Sequence, residues 1–262
     1  MRQLFFLLLF SPFLIHAQVD GRKPVPPNSL READVSFSKR VWRVIDLREK
    51  QNKKAVWPLA PINKILYDAA AGGKLIPYFS DSLITKFTIT QFLARGNDTT
   101  YQETPIDPID PSITRLDTLL SPFDPLERIY ELLLMEDWYF DKKLSTMIPR
   151  IIAIAPLYRA KAMGIDLGMQ PLCWFKYDDQ KKQETACRDL LVHTAMFNKE
   201  NSHNAFTFDD WFEQRRFGSF IVKTSNMEDA SIFQEKNGLE ALIEAERLKK
   251  ENFEYDANQY ED

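Results

Sequence analysis

The apolar residues of this chain fall in short runs separated by proline, glycine and charge, and the interval within each run distinguishes helix from strand. Between Thr207 and Asn226, TFDDWFEQRRFGSFIVKTSN, the positions Phe208, Trp211, Phe212 and Arg215 recur every three or four residues. That interval predicts a helix with three rings on one face and with Asp209, Glu213, Gln214 and Arg216 outside. Thr207, followed three residues on by Asp210, has the spacing of a capping box that supplies acceptors to the first-turn amides. Gly218 offers the chain a way out of the helix, Phe220, Ile221 and Val222 favour a strand, and Lys223 to Asn226 carry turn residues.

The same reading covers the rest of the chain. Ser38 caps a predicted helix to Lys50, with Val41, Val44 and Ile45 on one face, Trp42 beside them, and Arg43, Asp46 and Lys50 spaced for exposed ion pairs. A second helix is expected over Ile62 to Ala71, with Pro61 in its first turn and Gly72 and Gly73 as its end. Leu75 to Phe79 reads as a short edge strand, since it holds Pro77, and Leu83 to Leu93 fits either period. From Gly96 to Pro125 proline is too frequent for long packed elements, so a surface segment with one short strand at Ile113 to Leu120 is expected, serving as an arm toward a neighbour.

Leu126 to Met135 and Arg150 to Tyr158 read as two strands joined across EDWYFDKKLS as a polar turn. Leu172 to Tyr177 is another strand, Leu190 to Phe197 suits strand or helix, and Asn198 to Asn204 is a polar loop carrying His203. A last helix begins after Asn237 and Gly238, with Leu239, Leu242, Ile243, Ala245 and Leu248 as its buried side. Together these predict an α+β fold: a mixed or antiparallel sheet with amphipathic helices packed on it and a long proline-rich surface segment.

Composition adds limits on place and partner. Residues 1–17 have the positive start, apolar stretch and small-residue end of an export signal, too short to span a membrane, and no cysteine follows the cut to accept a lipid. The expected organisation is a signal peptide at 1–17, an extended tail at 18–30, a single domain at 31–252 and an acidic tail at 253–262. The net charge is −4, and −5 without Arg2, so neither nucleic acid nor anionic lipid is the expected partner. Cys173 and Cys187 are the only thiols and form a candidate disulfide pair in an oxidising compartment. With His193 and His203 they lack the tight spacing of a zinc site, and Gly72 and Gly73 are no phosphate loop, so no cofactor is expected.

Three stretches carry a resemblance: SKRVWRVIDLREKQNK (Ser38 to Lys54), EDWYFDKKLS (Glu136 to Ser145) and TFDDWFEQRRFGSFIVKTSN. In this order they resemble the gliding-motility protein N family, also called PorN, of the type IX secretion system, over residues 30 to 255. The resemblance implies a periplasmic, non-enzymatic component that builds a large ring with an outer-membrane lipoprotein of the K family. It also implies contact with the periplasmic part of the inner-membrane M protein. The arginines and rings of these stretches, Arg40, Trp42, Arg43, Trp138, Tyr139, Arg215 and Arg216, are the candidate partner contacts, because such residues are enriched at protein interfaces. Two other classes stay open. A periplasmic glycan or small-ligand module would use Trp138 and Tyr139 as exposed rings, and a hydrolase would use Glu136, Asp137 and Asp141 as paired carboxylates.

Overall fold

The computed structural model describes residues 23–25, 31–105, 114–162, 165–179, 184–197, 206–226, 231–232 and 238–258. The expected signal peptide, most of the tail at 18–30 and the loop holding His203 lie outside the described residues. In chain order the elements are β1 (Val35–Asp46), α1 (Ile62–Ala71), α2 (Ile89–Ala94), β2 (Asp98–Pro105), β3 (Thr114–Ser121), α3 (Pro125–Arg128), β4 (Ile129–Asp141), β5 (Thr146–Ala162), β6 (Ile165–Pro171), β7 (Phe175–Lys176), α4 (Cys187–Leu191), α5 (Phe208–Glu213), β8 (Phe220–Thr224) and α6 (Gly238–Asn258). One antiparallel sheet runs β6-β5-β4-β1-β8, with β7 also paired to β5, and β2 and β3 form a separate two-stranded ribbon. This is the α+β arrangement expected from the sequence.

The largest correction is β1. The stretch read as a helix from Ser38 is an interior strand, paired with β4 on one side and β8 on the other. Val41 to Ile45 are five consecutive buried residues, so the alternation that marks a half-buried strand is absent. The helical interval of Val41, Val44 and Ile45 is coincidental, and the β-branched and aromatic content decides. Asp46, expected to pair along a helix with Arg43 and Lys50, instead accepts from Arg48 Nε at 2.9 Å and Nη2 at 2.6 Å.

The register sorts side chains onto two faces. Val41 with Glu136, Arg43 with Leu134 and Ile45 with Leu132 share one face, and Arg40 with Asp137, Trp42 with Met135 and Val44 with Leu133 share the other. On the first face Ile45, Leu132, Leu134 and Ile154 join α1 and the rings of α5 in the main core. Farther along the same face Val41, Trp138 and Ile221 join Ala241, Ala245 and Leu248 of α6 in a second cluster. The opposite face holds Trp42, Met135, Ala153 and Ala155 against Tyr78 and Trp174.

The α6 helix corrects a second expectation. Ala245 and Leu248 are buried as read, but Leu239, Leu242 and Ile243 are exposed, and Ala241 takes their place. Alanines at 241 and 245 let the helix backbone approach Val41, Trp138 and Ile221, whereas three larger side chains on that face would hold it away. The helix also runs past Glu251 to Asn258.

Other elements follow local signals. α1 is found as read, with Gly73 at φ +71° just past its end, and α2 is fixed by reciprocal bonds between Thr88 and Gln91. β4 and β5 form the expected hairpin, but EDWYFDKKLS is turn only from Lys142, because its rings continue β4 to Asp141. The Asp141 carboxylate then accepts from the Lys143 amide at 2.8 Å. Leu75 to Phe79 forms only isolated bridges at Tyr78, which exchanges backbone bonds with Trp174 on one side and faces Lys86 on the other through the Phe79 amide and the Pro77 carbonyl. β3 matches the strand read at 113–120, while its partner β2 and the edge strand β6 carry no apolar run that announces them. Cys173 and Cys187 are free thiols, both buried in the main core, and burial pushes both thiols up from their ordinary value.

Candidate functional site

The two apolar clusters on the first sheet face do not merge, because a charged group separates them. Along β4 that face runs Leu134, Glu136, Trp138: the first belongs to the main core, the last to the α6 cluster, and Glu136 lies between. Its side chain is 0 % exposed. Arg215 Nη2 donates to both of its oxygens at 2.8 Å, and Trp138 Nε1 donates to Oε2 at 2.9 Å. Arg43 reaches the same carboxylate with Nη1 only at 3.7 Å, and both guanidinium groups face the Trp138 ring, at 5.8 and 5.7 Å from its centre. Two cations therefore share one carboxylate in the interior. Burial pushes the Arg43 guanidinium down from its ordinary value, Glu136 opposes that shift, and Arg215 adds to it.

The end of α5 aims Arg215 at this seam. The helix starts as the sequence predicts, with Thr207 and Asp210 capping each other. It ends after six residues in a left-handed cap: the Arg216 amide donates to the Trp211 carbonyl at 3.0 Å and Arg215 sits at φ +52°. A residue with a Cβ in that conformation costs about 1–2 kcal/mol, which glycine avoids. Here the cost is offset by the pair with Glu136. Arg215 is thus off the helix face on which it was read, and it, not Gly218, makes the exit.

Gly218 serves a close approach. Its N–H donates to Asn52 Oδ1 and its carbonyl accepts from Asn52 Nδ2, both at 2.9 Å, and Asn52 Nδ2 also donates to the Asp46 carbonyl at 2.8 Å. This buried amide ties the segment after α5 to the end of β1. A Cβ on Gly218 would lie 2.6 Å from Glu49 Oε2.

The seven residues read as partner contacts divide three ways. Arg43, Trp138 and Arg215 meet at the seam, where Arg43 and Trp138 are buried. On the opposite face Arg40 grips Asp137 with Nε at 2.6 Å and Nη2 at 2.8 Å, and the Tyr139 hydroxyl donates to Asp137 Oδ2 at 3.3 Å. The pair with Asp137 raises the Arg40 guanidinium. Trp42, also buried, lies under the Lys223 ammonium at 4.6 Å. Arg216 is exposed and stacks at 5.0 Å on Phe206, away from both groups.

The same geometry bears on the other readings. Trp138 and Tyr139 point to opposite faces of β4, so they do not make one aromatic platform. Glu136 and Asp137 likewise face apart, each held by its own arginine, while Asp141 shapes the hairpin turn. Among the described residues no three metal-binding side chains converge.

Sequence reasoning missed a second buried charge cluster. Arg188 donates from Nε to Asp209 Oδ1 at 2.9 Å and approaches Asp178 and Glu213 at 3.5 and 3.7 Å, while the Tyr177 hydroxyl bridges Asp209 and Glu213. Asp209 was read as solvated. Its two-residue distance from Trp211 and one-residue distance from Phe208 in a helix whose other face is charged gives no signal, because the partner Arg188 lies in a distant element.

A comparison of the chain with curated proteins gives no match. The model of the family described as Gliding motility associated protein GldN matches residues 30–261, and the chain belongs to that family.

Proposed function

We propose that this protein is a structural, non-enzymatic component of the type IX secretion and gliding machinery, working in the periplasm as a member of a large ring with an outer-membrane lipoprotein of the K family and touching the periplasmic part of the inner-membrane M protein. The observation that carries the reading is the family match across nearly the whole chain. It is supported by where the charged side chains go. Of the carboxylates that a hydrolase would need, Glu136 and Asp137 are spent on arginines and Asp141 on the amides of the hairpin turn. Among the described residues no helix is long and apolar enough to cross a membrane; in this reading the chain is held at the envelope by the lipoprotein.

The test is a native gel of detergent-solubilised membranes. The expected result is a species of very high mass containing this chain and an outer-membrane lipoprotein, with secretion substrates held in the periplasm when the gene is lost. A free monomer with no associated lipoprotein would refute the reading.

A further inference from the structure

Counted over the described residues, the seam on the first sheet face is short of one negative charge. Arg43 and Arg215 contribute two positive charges and Glu136 one negative, and among the described residues no other acidic group lies within ion-pair distance of either arginine. Glu136 gives both oxygens to Arg215 and one of them also to Trp138, so its lone pairs are largely used. The Arg43 side chain, 8 % exposed, makes no hydrogen bond to the described residues, and its Nε is buried with no partner among them. Buried guanidinium groups are ordinarily hydrogen-bonded, since leaving donors unmet inside a protein is costly. Arg215 engages through Nη2 alone, which leaves Nε and Nη1 without partners among the described residues, and its side chain is 27 % exposed. It forms the accessible lip, with Arg43 behind it and the rings of Trp138 and Phe217 as walls.

We propose that this seam is a receptor for a carboxylate side chain of a protein partner, which enters beside Arg215 and completes the hydrogen bonding of Arg43. Charge selects the ligand class. One carboxylate brings two arginines and two acids to neutrality, whereas a phosphate dianion would leave a buried excess of negative charge. The planar fork of arginine suits a carboxylate, and the overall charge of −4 disfavours long polyanions such as nucleic acid or an anionic lipid surface. The left-handed backbone at Arg215 fits the same role, as local strain that holds the exposed cation over the buried one. The inference deepens the assembly reading, on which the identification of the ligand as a partner's side chain rests.

The probe is an end-blocked hexaglutamate peptide titrated into the full chain, with hexaglutamine and inorganic phosphate as controls. The readout is the arginine Nε–H signals in a proton–nitrogen correlation spectrum. The expected result is a saturable shift of the Arg43 and Arg215 signals with hexaglutamate only. Arg43→Met removes the under-bonded cation while keeping the Arg215–Glu136–Trp138 contacts, so it folds, and it weakens binding at least about tenfold. Arg215→Lys keeps the charge but removes the fork, and weakens binding as well. No saturable shift in the parent chain, equal binding by Arg43→Met or Arg215→Lys, or phosphate binding as tightly as the peptide would each overturn the proposal. A native gel of membranes carrying Arg43→Met separates the two readings. A ring that forms undisturbed sinks the docking role and leaves the assembly standing, whereas absence of any ring in the parent strain sinks the assembly while the titration still decides the seam.

Discussion

Replacing Glu136 with Gln tests the electrostatic account of the seam with little change of shape. The side chain is fully buried and is the sole carboxylate within ion-pair distance of Arg43 and Arg215 among the described residues. Removing one partner of a buried ion pair costs about 3–5 kcal/mol, because the remaining charge is left unmet. Arg215 is partly exposed and can turn to water, which trims the expected loss to about 2–4 kcal/mol. Arg43→Met alone, which removes the surplus cation, should change stability by no more than about 1 kcal/mol in either direction. In the Glu136→Gln background it should recover about 1–2 kcal/mol, since the charge made costly by the first change is gone. The assay is urea unfolding followed by tryptophan fluorescence and far-ultraviolet circular dichroism, with midpoint and slope both fitted. A loss below about 0.5 kcal/mol for Glu136→Gln, or strict additivity in the double variant, would refute the account.

Three further outcomes are expected. Gly96→Ala should cost about 2–4 kcal/mol in urea unfolding, because Gly96 sits at φ +83° and a Cβ there would lie 2.7 Å from the ring of buried Phe123. Gly218→Ala, whose Cβ would press on the ends of the Glu49 and Gln51 side chains at 2.6 and 3.3 Å and not on a ring, should cost less. Asn52→Ala should cost about 2–3 kcal/mol and speed amide exchange at Gly218, since three backbone groups lose their partner. The pH dependence follows from Glu213, whose carboxyl is raised by burial, opposed by Arg188 and raised further by Asp209. The folded state then holds this proton more tightly than the unfolded one, so its contribution to stability falls as pH rises from about 4.3, the free glutamate value, through the folded value. Comparing urea midpoints across that window, Glu213→Gln should flatten this component. An unchanged profile would show that Glu213 is not its source.

What could be read in the sequence depended on how local the cause was. The cap of α5 and the end of α1 were legible because Thr207, Asp210, Gly72 and Gly73 act on their own backbone neighbours. β1 was misread because it is covered on both faces, and two-sided burial removes the alternation that distinguishes a strand. The inner side of α6 was misassigned for a related reason: Leu239, Leu242 and Ile243 outweigh alanine in any hydrophobicity pattern, yet close packing needed Ala241 and Ala245. At the seam, Arg43, Trp138 and Arg215 were singled out for their residue types, but as surface contacts. Their convergence on Glu136 depends on strand register and on a left-handed arginine, neither of which the local pattern displays.

The position of β1 also governs the order in which the molecule can be completed. Its second edge is closed by β8, through contacts such as that of the Arg40 amide with Ser225, 185 positions away. A chain emerging from its amino end therefore carries an open, apolar strand edge until its last portion arrives, and such an edge invites pairing with other chains. Folding of this protein should be slow, all-at-once and dependent on protection during synthesis, and truncation within or before β8 should yield insoluble material and not a smaller working unit.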